Sequence, residues 1–380
     1  MFAAGFAVFA TLYYIQPLLP IFAAEFGLRP AESALALSGT TALMAVALLF
    51  SGIASDRIGR KRIMVASLLS SGAITLLMAL MPDWGGVLAC RVALGVSLSG
   101  VQAVAMAYLA EEIEPSAFGL SFGLFISGSA LGGMVGRLAA ALLSDAGGWR
   151  LAVAVVGASG LVAGLYVARA LPPSRNFRPG AAGARALRSG LAGHLRDPVL
   201  WLLFACGFLL MGAFVTSYNY LGFRLLAPPF GLSQGLFGLV FLIYLVGIPG
   251  PTLVGAMLAR VAAARLLVLL LLLMLAGLAL TLSERLPLVI AGLAVLTFGF
   301  FSAHSVASGW VSRRAAQGRA LAASLYLFFY YQGASALGYA GGLAWEGAGW
   351  HGVVMLTGAG TLAALGAAVL LMRATRRGAG

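Results

Sequence analysis

GIASDRIGRKR, Gly52 to Arg62, decides how the rest of the chain is read, because five charged residues and two glycines stand there between two apolar stretches. In a sequence that is 61% hydrophobic and 9% charged, with a mean hydropathy of +1.00, such a cluster belongs in a short turn at a membrane surface. The turn is densely cationic, so it also sets a direction across the bilayer.

Outward from that turn, the chain divides into stretches of the roughly 20 apolar residues that a helix needs to cross hydrocarbon. Twelve are predicted, at 2–24, 34–55, 63–81, 86–110, 119–143, 150–170, 199–226, 234–258, 265–282, 288–310, 320–342 and 351–372. Most connections are short and carry Gly, Pro or charge. The exception, 171–198, holds Arg175, Arg178, Arg185, Arg188 and Arg196. The expected fold class is therefore an all-α polytopic membrane protein with twelve transmembrane helices in two pseudo-symmetric six-helix bundles. Its parts are an N-terminal bundle at 1–170, a cytoplasmic central loop at 171–198, and a C-terminal bundle with a short cytoplasmic tail at 199–380.

Three echoes at offsets near 200 residues support a duplication. EFGLRPAES after the first span answers PPFGLSQG after the seventh, SALGGMVG answers SALGYAGG, and GGWR answers GAGWH. A cavity between two similar halves is the expected consequence.

The net charge of +13 is topological. With both termini placed inside, 18 of the 24 basic residues fall on the cytoplasmic side, which argues against a nucleic-acid partner. Cys90 and Cys206 lie in apolar context without metal-ligand spacing, so neither a metal nor a cofactor is expected. The first apolar run has no basic leader or small-residue cleavage site, and the first helix is expected to remain in the mature protein.

Within the opening stretch, Gly52, Asp56, Arg57, Gly59, Arg60 and Lys61 resemble, at the expected spacing, the signature of the major facilitator superfamily between its second and third helices. The resemblance covers nearly the whole chain and implies a carrier that works by alternating access, with this turn as a conformational latch. Topology signalling alone is the simpler reading of the turn. Arg91 and Gly95 match the family's R-x-x-x-G pattern. YYIQPLLPIFAAEFGL and GGMVGRL look like the arabinose-efflux-like and inner-membrane transport branch, which implies a bacterial cytoplasmic (inner) membrane location. The drug-antiporter version of this region carries a Gly-Pro pair where this chain has Gly132-Gly133. The implied function is export of a small organic solute or drug by proton antiport; the alternative is an uptake symporter or facilitated-diffusion carrier for a small metabolite. The implied partners are that solute, the lipid bilayer and protons, and the protein is expected to act as a monomer.

Polar and aromatic residues inside apolar spans are the candidates for substrate or coupling: Tyr14, Gln16, Arg91, Gln102, Arg137, Tyr218, Asn219, Tyr244, His304, Tyr330, Tyr331 and Gln332. A buried amide or guanidinium facing lipid costs several kcal/mol, so such groups face protein or a wet cavity. Arg91 has two readings: snorkelling to the outer surface, or a role in the cavity. None of the eleven acidic residues falls deep inside a predicted helix, so proton coupling would fall to Glu25, Glu111 or His304. Gly128, Gly132, Gly133 and Gly136 mark close helix packing. With no ATP-binding loop, no soluble domain and no catalytic pair, an enzyme is not expected. A receptor without transport, an ion channel and a membrane enzyme are the competing classes.

Overall fold

The computed structural model describes residues 1–174, 191–315 and 318–377. Arg175, Arg178, Arg185 and Arg188 of the long connection lie outside the described residues. Ten helical segments among the described residues are long and apolar enough to span a bilayer. The first begins with α1 (Phe2–Tyr13), passes through a 3-10 turn at Gln16–Leu18 and ends as α2 (Leu19–Glu25). Then follow α3 (Pro30–Ile58), α4 (Arg60–Met78), α5 (Trp84–Glu112) and α6 (Pro115–Ala170). After the long connection come α7 (Pro198–Leu225) and a span built of α8 (Gln234–Leu239), a 3-10 turn at Val240–Ile243, α9 (Tyr244–Gly247) and α10 (Gly250–Met257). The series closes with α11 (Ala263–Leu280), α12 (Leu286–Arg314) and α13 (Arg319–Arg377).

At 1.5 Å per residue, a 56-residue α6 or a 59-residue α13 would be far longer than a bilayer is thick. Both are broken. Gly147 and Gly148 leave helical geometry in α6, and Ala348 and Gly349 do so in α13, with Gly148 at φ 79° and Gly349 at φ 55°. These are the GGWR and GAGWH positions, and the next residue in each, Trp149 or Trp350, is buried. The first echo also has a backbone counterpart, since Gly27 and Gly231 both adopt positive φ.

The chain forms two compact units. Unit 1 holds Met1–Ala181 together with Leu225–Leu242, and unit 2 holds Ala182–Arg224 together with Ile243–Gly380. A division at the long connection alone does not describe this, because α8 packs on α6 inside unit 1. There the Asp145 carboxylate accepts from the Gly235 N–H, Gln234 donates to Pro17 O, and a Cβ on Gly238 would press on Ala141.

Glycine sets the closest approaches in both units. Along α6, added Cβ atoms at Gly128, Gly132 and Gly136 would strike the backbone of Phe2, Phe6 and Ala10 on α1. In unit 2 a Cβ on Gly333 of α13 would strike Phe208 O of α7, and one on Gly341 would strike Thr216. Small residues thus let the backbones touch where lipid gives no hydrophobic drive for association. Large apolar side chains point outward from both units, including Leu120 and Met355 at 71% and 72% exposure, as a lipid-facing surface requires.

Candidate functional site

The turn of the opening stretch is one residue long. Gly59, at φ 104°, separates α3 from α4 in a conformation that side chains avoid, and no neighbour lies near enough to crowd a Cβ there. Arg60 then folds back. It pairs with Asp56 at 2.6 Å and with Glu111, at the end of α5, at 2.8 Å, and donates to Ser55 Oγ at 2.5 Å. The Lys61 ammonium donates to Leu171 O at 2.6 Å, and the Tyr108 hydroxyl to Pro172 O at 2.9 Å, which ties the end of α6 to the same corner. Arg57 is exposed, and Gly52 has open space beside it. Glu111, expected as a proton carrier, is placed as a counter-ion of this turn. Glu25, the other such glutamate, sits at the opposite end of unit 1, where it accepts from Trp149 Nε1 at 2.6 Å and pairs with Arg150 at 2.8 Å.

A second cluster lies at the break in the first span. Pro17 has no N–H, so the α-helix ends at Tyr13 and the chain runs through a 3-10 turn. Carbonyls above such a break lose their helical donors. Arg91 of α5 supplies donors instead: Nη1 to Thr11 O at 3.2 Å and Nη2 to Leu12 O at 2.9 Å, with Nε to Ala36 O of α3 at 2.7 Å. Its guanidinium stands 5.5 Å from the Tyr14 ring centre and is wholly buried. Neither the snorkelling nor the cavity reading describes that geometry: Arg91 clamps three helices through their backbones. Gly95, one turn on, is where a Cβ would strike Thr40 O, so the R-x-x-x-G pattern serves one helix crossing.

Arg137 of α6 faces the same break. Its Nε donates to Gln16 Oε1 and its Nη1 to Gly133 O, each at 2.5 Å. The Tyr13 ring covers it at 4.3 Å and Phe241 at 5.7 Å, and 2% of the residue is exposed. Gly132 and Gly133 divide two tasks: Gly132 meets α1, while a Cβ on Gly133 would come within 3.2 Å of Arg137 Nη1. Gln102 is half-buried on α5, eleven residues beyond Arg91, or about 16 Å along the helix.

Unit 2 gathers rings instead of charge. Phe214 and Phe300 stack at 3.8 Å, Tyr218 lies 5.2 Å from Tyr244, and Phe301 meets Tyr244 edge-on at 5.9 Å. The Tyr218 hydroxyl shares a 2.7 Å hydrogen bond with Thr297 Oγ1. His304 Nδ1 is 3.0 Å from the Tyr326 hydroxyl, and the His304 ring is 4.6 Å from that of Tyr330, which in turn meets Tyr331 at 5.1 Å. Asn219 is fully buried and Gln332 half-buried. Phe214, Phe241, Phe300 and Phe301 escape sequence reasoning because phenylalanine in an apolar span carries no signal of its own. Tyr326, the histidine's partner, escapes it because only packing chooses one tyrosine among neighbours.

Just beyond α10 the chain carries Ala259, where the repeat in the sequence would set a residue against Asp56 of unit 1. Unit 2 has a different pair. Asp197, just before α7, accepts from the Val199 N–H at 2.8 Å and pairs with Arg314 at the end of α12, also at 2.8 Å. Burial by itself would raise the Asp197 carboxyl, but Arg314 and the Val199 and Leu200 N–H groups outweigh it and hold it below the usual aspartate range.

Comparison with known proteins agrees in scale with this architecture. The model of the Major Facilitator Superfamily matches residues 1–339. The chain is 45% identical to the inner membrane transport protein YnfM of Escherichia coli over 353 residues, covering 93% of this chain and 85% of that one. It is 44% identical to the uncharacterized MFS-type transporter YybF of Bacillus subtilis, with 93% and 87% covered. Among solved structures, a bacterial homologue of the human lysosomal transporter Spinster, inward-facing and occupied, shares the fold with a TM-score of 0.79 at 15% identity, with 99% of this chain and 95% of that chain covered.

Proposed function

The chain belongs to the Major Facilitator Superfamily, and from that membership we propose that it is a secondary carrier moving a small organic solute across a bacterial inner membrane by alternating access. It is not an enzyme. The observation that carries the reading is the broken first span. Non-helical backbone at membrane depth is tolerated where protein or a wet cavity surrounds it, and here the break is ringed by Tyr13, Gln16, Arg91 and Arg137.

The finer picture divides α6 and α13 at their kinks, giving twelve spans in two bundles of six, with both termini cytoplasmic as the basic residues favour. The protein acts as a monomer. The Arg60 corner serves as the latch, its ion pairs forming and parting as the carrier cycles.

Uptake or facilitated diffusion of a small metabolite fits better than proton-antiport export. The names of YnfM and YybF carry transport without a direction, the Gly-Pro pair of drug antiporters is replaced by Gly132-Gly133, and the polar interior of unit 1 is built on arginine. Sealed proteoliposomes carrying a metabolite panel, with pH gradients imposed in both senses, test this. Net uptake without need of an outward-directed proton exchange is expected; accumulation that appears only against counter-moving protons reinstates export. Joint replacement of Glu25, Glu111 and His304 by non-titratable residues decides the coupling. Unchanged pH-driven transport in that triple variant removes all three from the proton path.

A further inference from the structure

We propose that unit 2 holds a resident anionic phospholipid, with one acyl chain in a cleft between α10 and α11 and its phosphate on Arg260. The cleft, about 830 Å³, is lined by residues of α10 and α11 and by Phe298 of α12. Val254, Leu266 and Leu270 form its inner surface and are buried. Leu253 and Leu269 on its rims are 52% and 57% exposed, so it opens on the face that meets lipid. Small residues keep it unfilled: Ala256 and Ala259 belong to the lining, and Gly255 has open space beside it. Leu266 and Leu273 mark off about 10 Å of α11 along the cleft, which takes the upper part of an acyl chain.

One end of the cleft is cationic. Among the described residues that line it, Arg260 alone is charged, and it stands where the span gives way to the turn before α11. Arg265, in the first turn of α11, is exposed at the same end, as Arg260 is. No side chain caps α11 at Ala262, so its first N–H groups also point out of the helix there. The acidic residues of unit 2 are placed elsewhere. Glu284 follows the far end of α11, Glu346 precedes the kink whose Trp350 donates to Thr281 O at that far end, and Asp197 pairs with Arg314. A cation at headgroup depth above an apolar cleft matches a negative headgroup with its own chain. A zwitterionic lipid offers the same chain but brings an ammonium beside the arginine, and a soluble phosphate leaves the cleft empty. Such a lipid needs only that the chain sits in a bilayer, whatever solute it carries.

The test is lipid titration of the delipidated full-length protein in detergent, read by native mass spectrometry. Dioleoyl phosphatidylglycerol is expected to fill one site about fivefold or more tightly than dioleoyl phosphatidylethanolamine. Arg260→Gln should remove most of that preference and leave phosphatidylethanolamine binding as it was. Ala256→Trp fills the cleft and should abolish occupancy of the site by either lipid. Arg169→Gln, an exposed arginine in the last turn of α6, serves as the control for general surface charge and should change nothing. Inorganic phosphate should not compete. Equal affinity for the two lipids, a preference kept in Arg260→Gln or lost equally in Arg169→Gln, or displacement by phosphate alone overturns the proposal. So does undiminished lipid binding by a folded Ala256→Trp protein, and so does a lipid-free dimer that Ala256→Trp disperses, which would give the cleft to a second copy of the chain. Arg260→Gln decides alone should Ala256→Trp fail to fold.

Discussion

The two units share a scaffold and differ in what they bury. In each, glycine on a long helix, at 128, 132 and 136 of α6 and at 333 of α13, lets it meet a neighbouring helix backbone to backbone, and in each that helix breaks at a positive-φ glycine followed by a buried tryptophan. Unit 1 fills its polar positions with arginine, at 60, 91 and 137, and with the acceptors that hold it. Unit 2 places Phe214, Tyr218, Tyr244, Phe300, Phe301 and His304 in mutual ring contact. The two units therefore share a packing rule, backbone against backbone, and differ in side-chain chemistry.

The largest effect should come from removing the arginine clamp. Arg91→Met leaves Thr11, Leu12 and Ala36 carbonyls without those donors inside the membrane, and a loss of about 3–5 kcal/mol is expected. Thr297→Val, which removes only the partner of the Tyr218 hydroxyl in unit 2, should cost about 1 kcal/mol. Melting temperature and the yield of monodisperse protein measure both. Equal losses would erase the contrast between a charge-built and a ring-built unit.

The shared scaffold makes a symmetrical prediction. Gly132→Ala and Gly333→Ala each drive a Cβ into a main-chain oxygen, of Phe6 and of Phe208, and each should cost about 1–3 kcal/mol. A melting shift in one variant alone would mean that the units do not pack by the same rule.

The smallest effects belong to the ion pairs. Arg60 is only 11% exposed at its side chain and serves two carboxylates, so Arg60→Gln should cost about 1–2 kcal/mol and change transport rate more than substrate affinity. Arg314, at 49% exposure, should cost no more than about 0.5 kcal/mol when replaced by Gln. Asp197 adds a pH signature. Because its folded-state carboxyl is held below the usual value, its contribution is present above about pH 4 and is lost as pH falls through the lower folded value. The Arg314→Gln penalty should therefore shrink on acidification from pH 7 toward pH 3. A penalty that grows instead would reverse the sign assigned to Asp197.

Much of this was legible in residue types. Charge and glycine at 52–62 mark the turn, and glycine spacing at 128, 132 and 136 marks a packing face, because a missing Cβ and a charge in an apolar chain both speak for themselves. Pro17 is also a visible signal, yet the sequence predicts an unbroken first span over 2–24, and only the structure shows the 3-10 turn there. The rest depends on partners that a one-dimensional reading cannot pair. The Arg91 acceptors are main-chain atoms. The Glu111–Arg60 bond joins residues 51 apart. The inclusion of 225–242 in unit 1 follows from how α8 packs, since its composition matches that of any apolar span.

The Arg91 clamp also has an evolutionary signature. Peptide oxygens at positions 11, 12 and 36 stay in place whatever side chain stands there, so the contact itself constrains only position 91, while burial constrains the other three by size. Correlated-substitution methods, which find contacts by compensating exchanges between two sites, would return no pair for this buried contact; its trace in a family would be invariance at a single column.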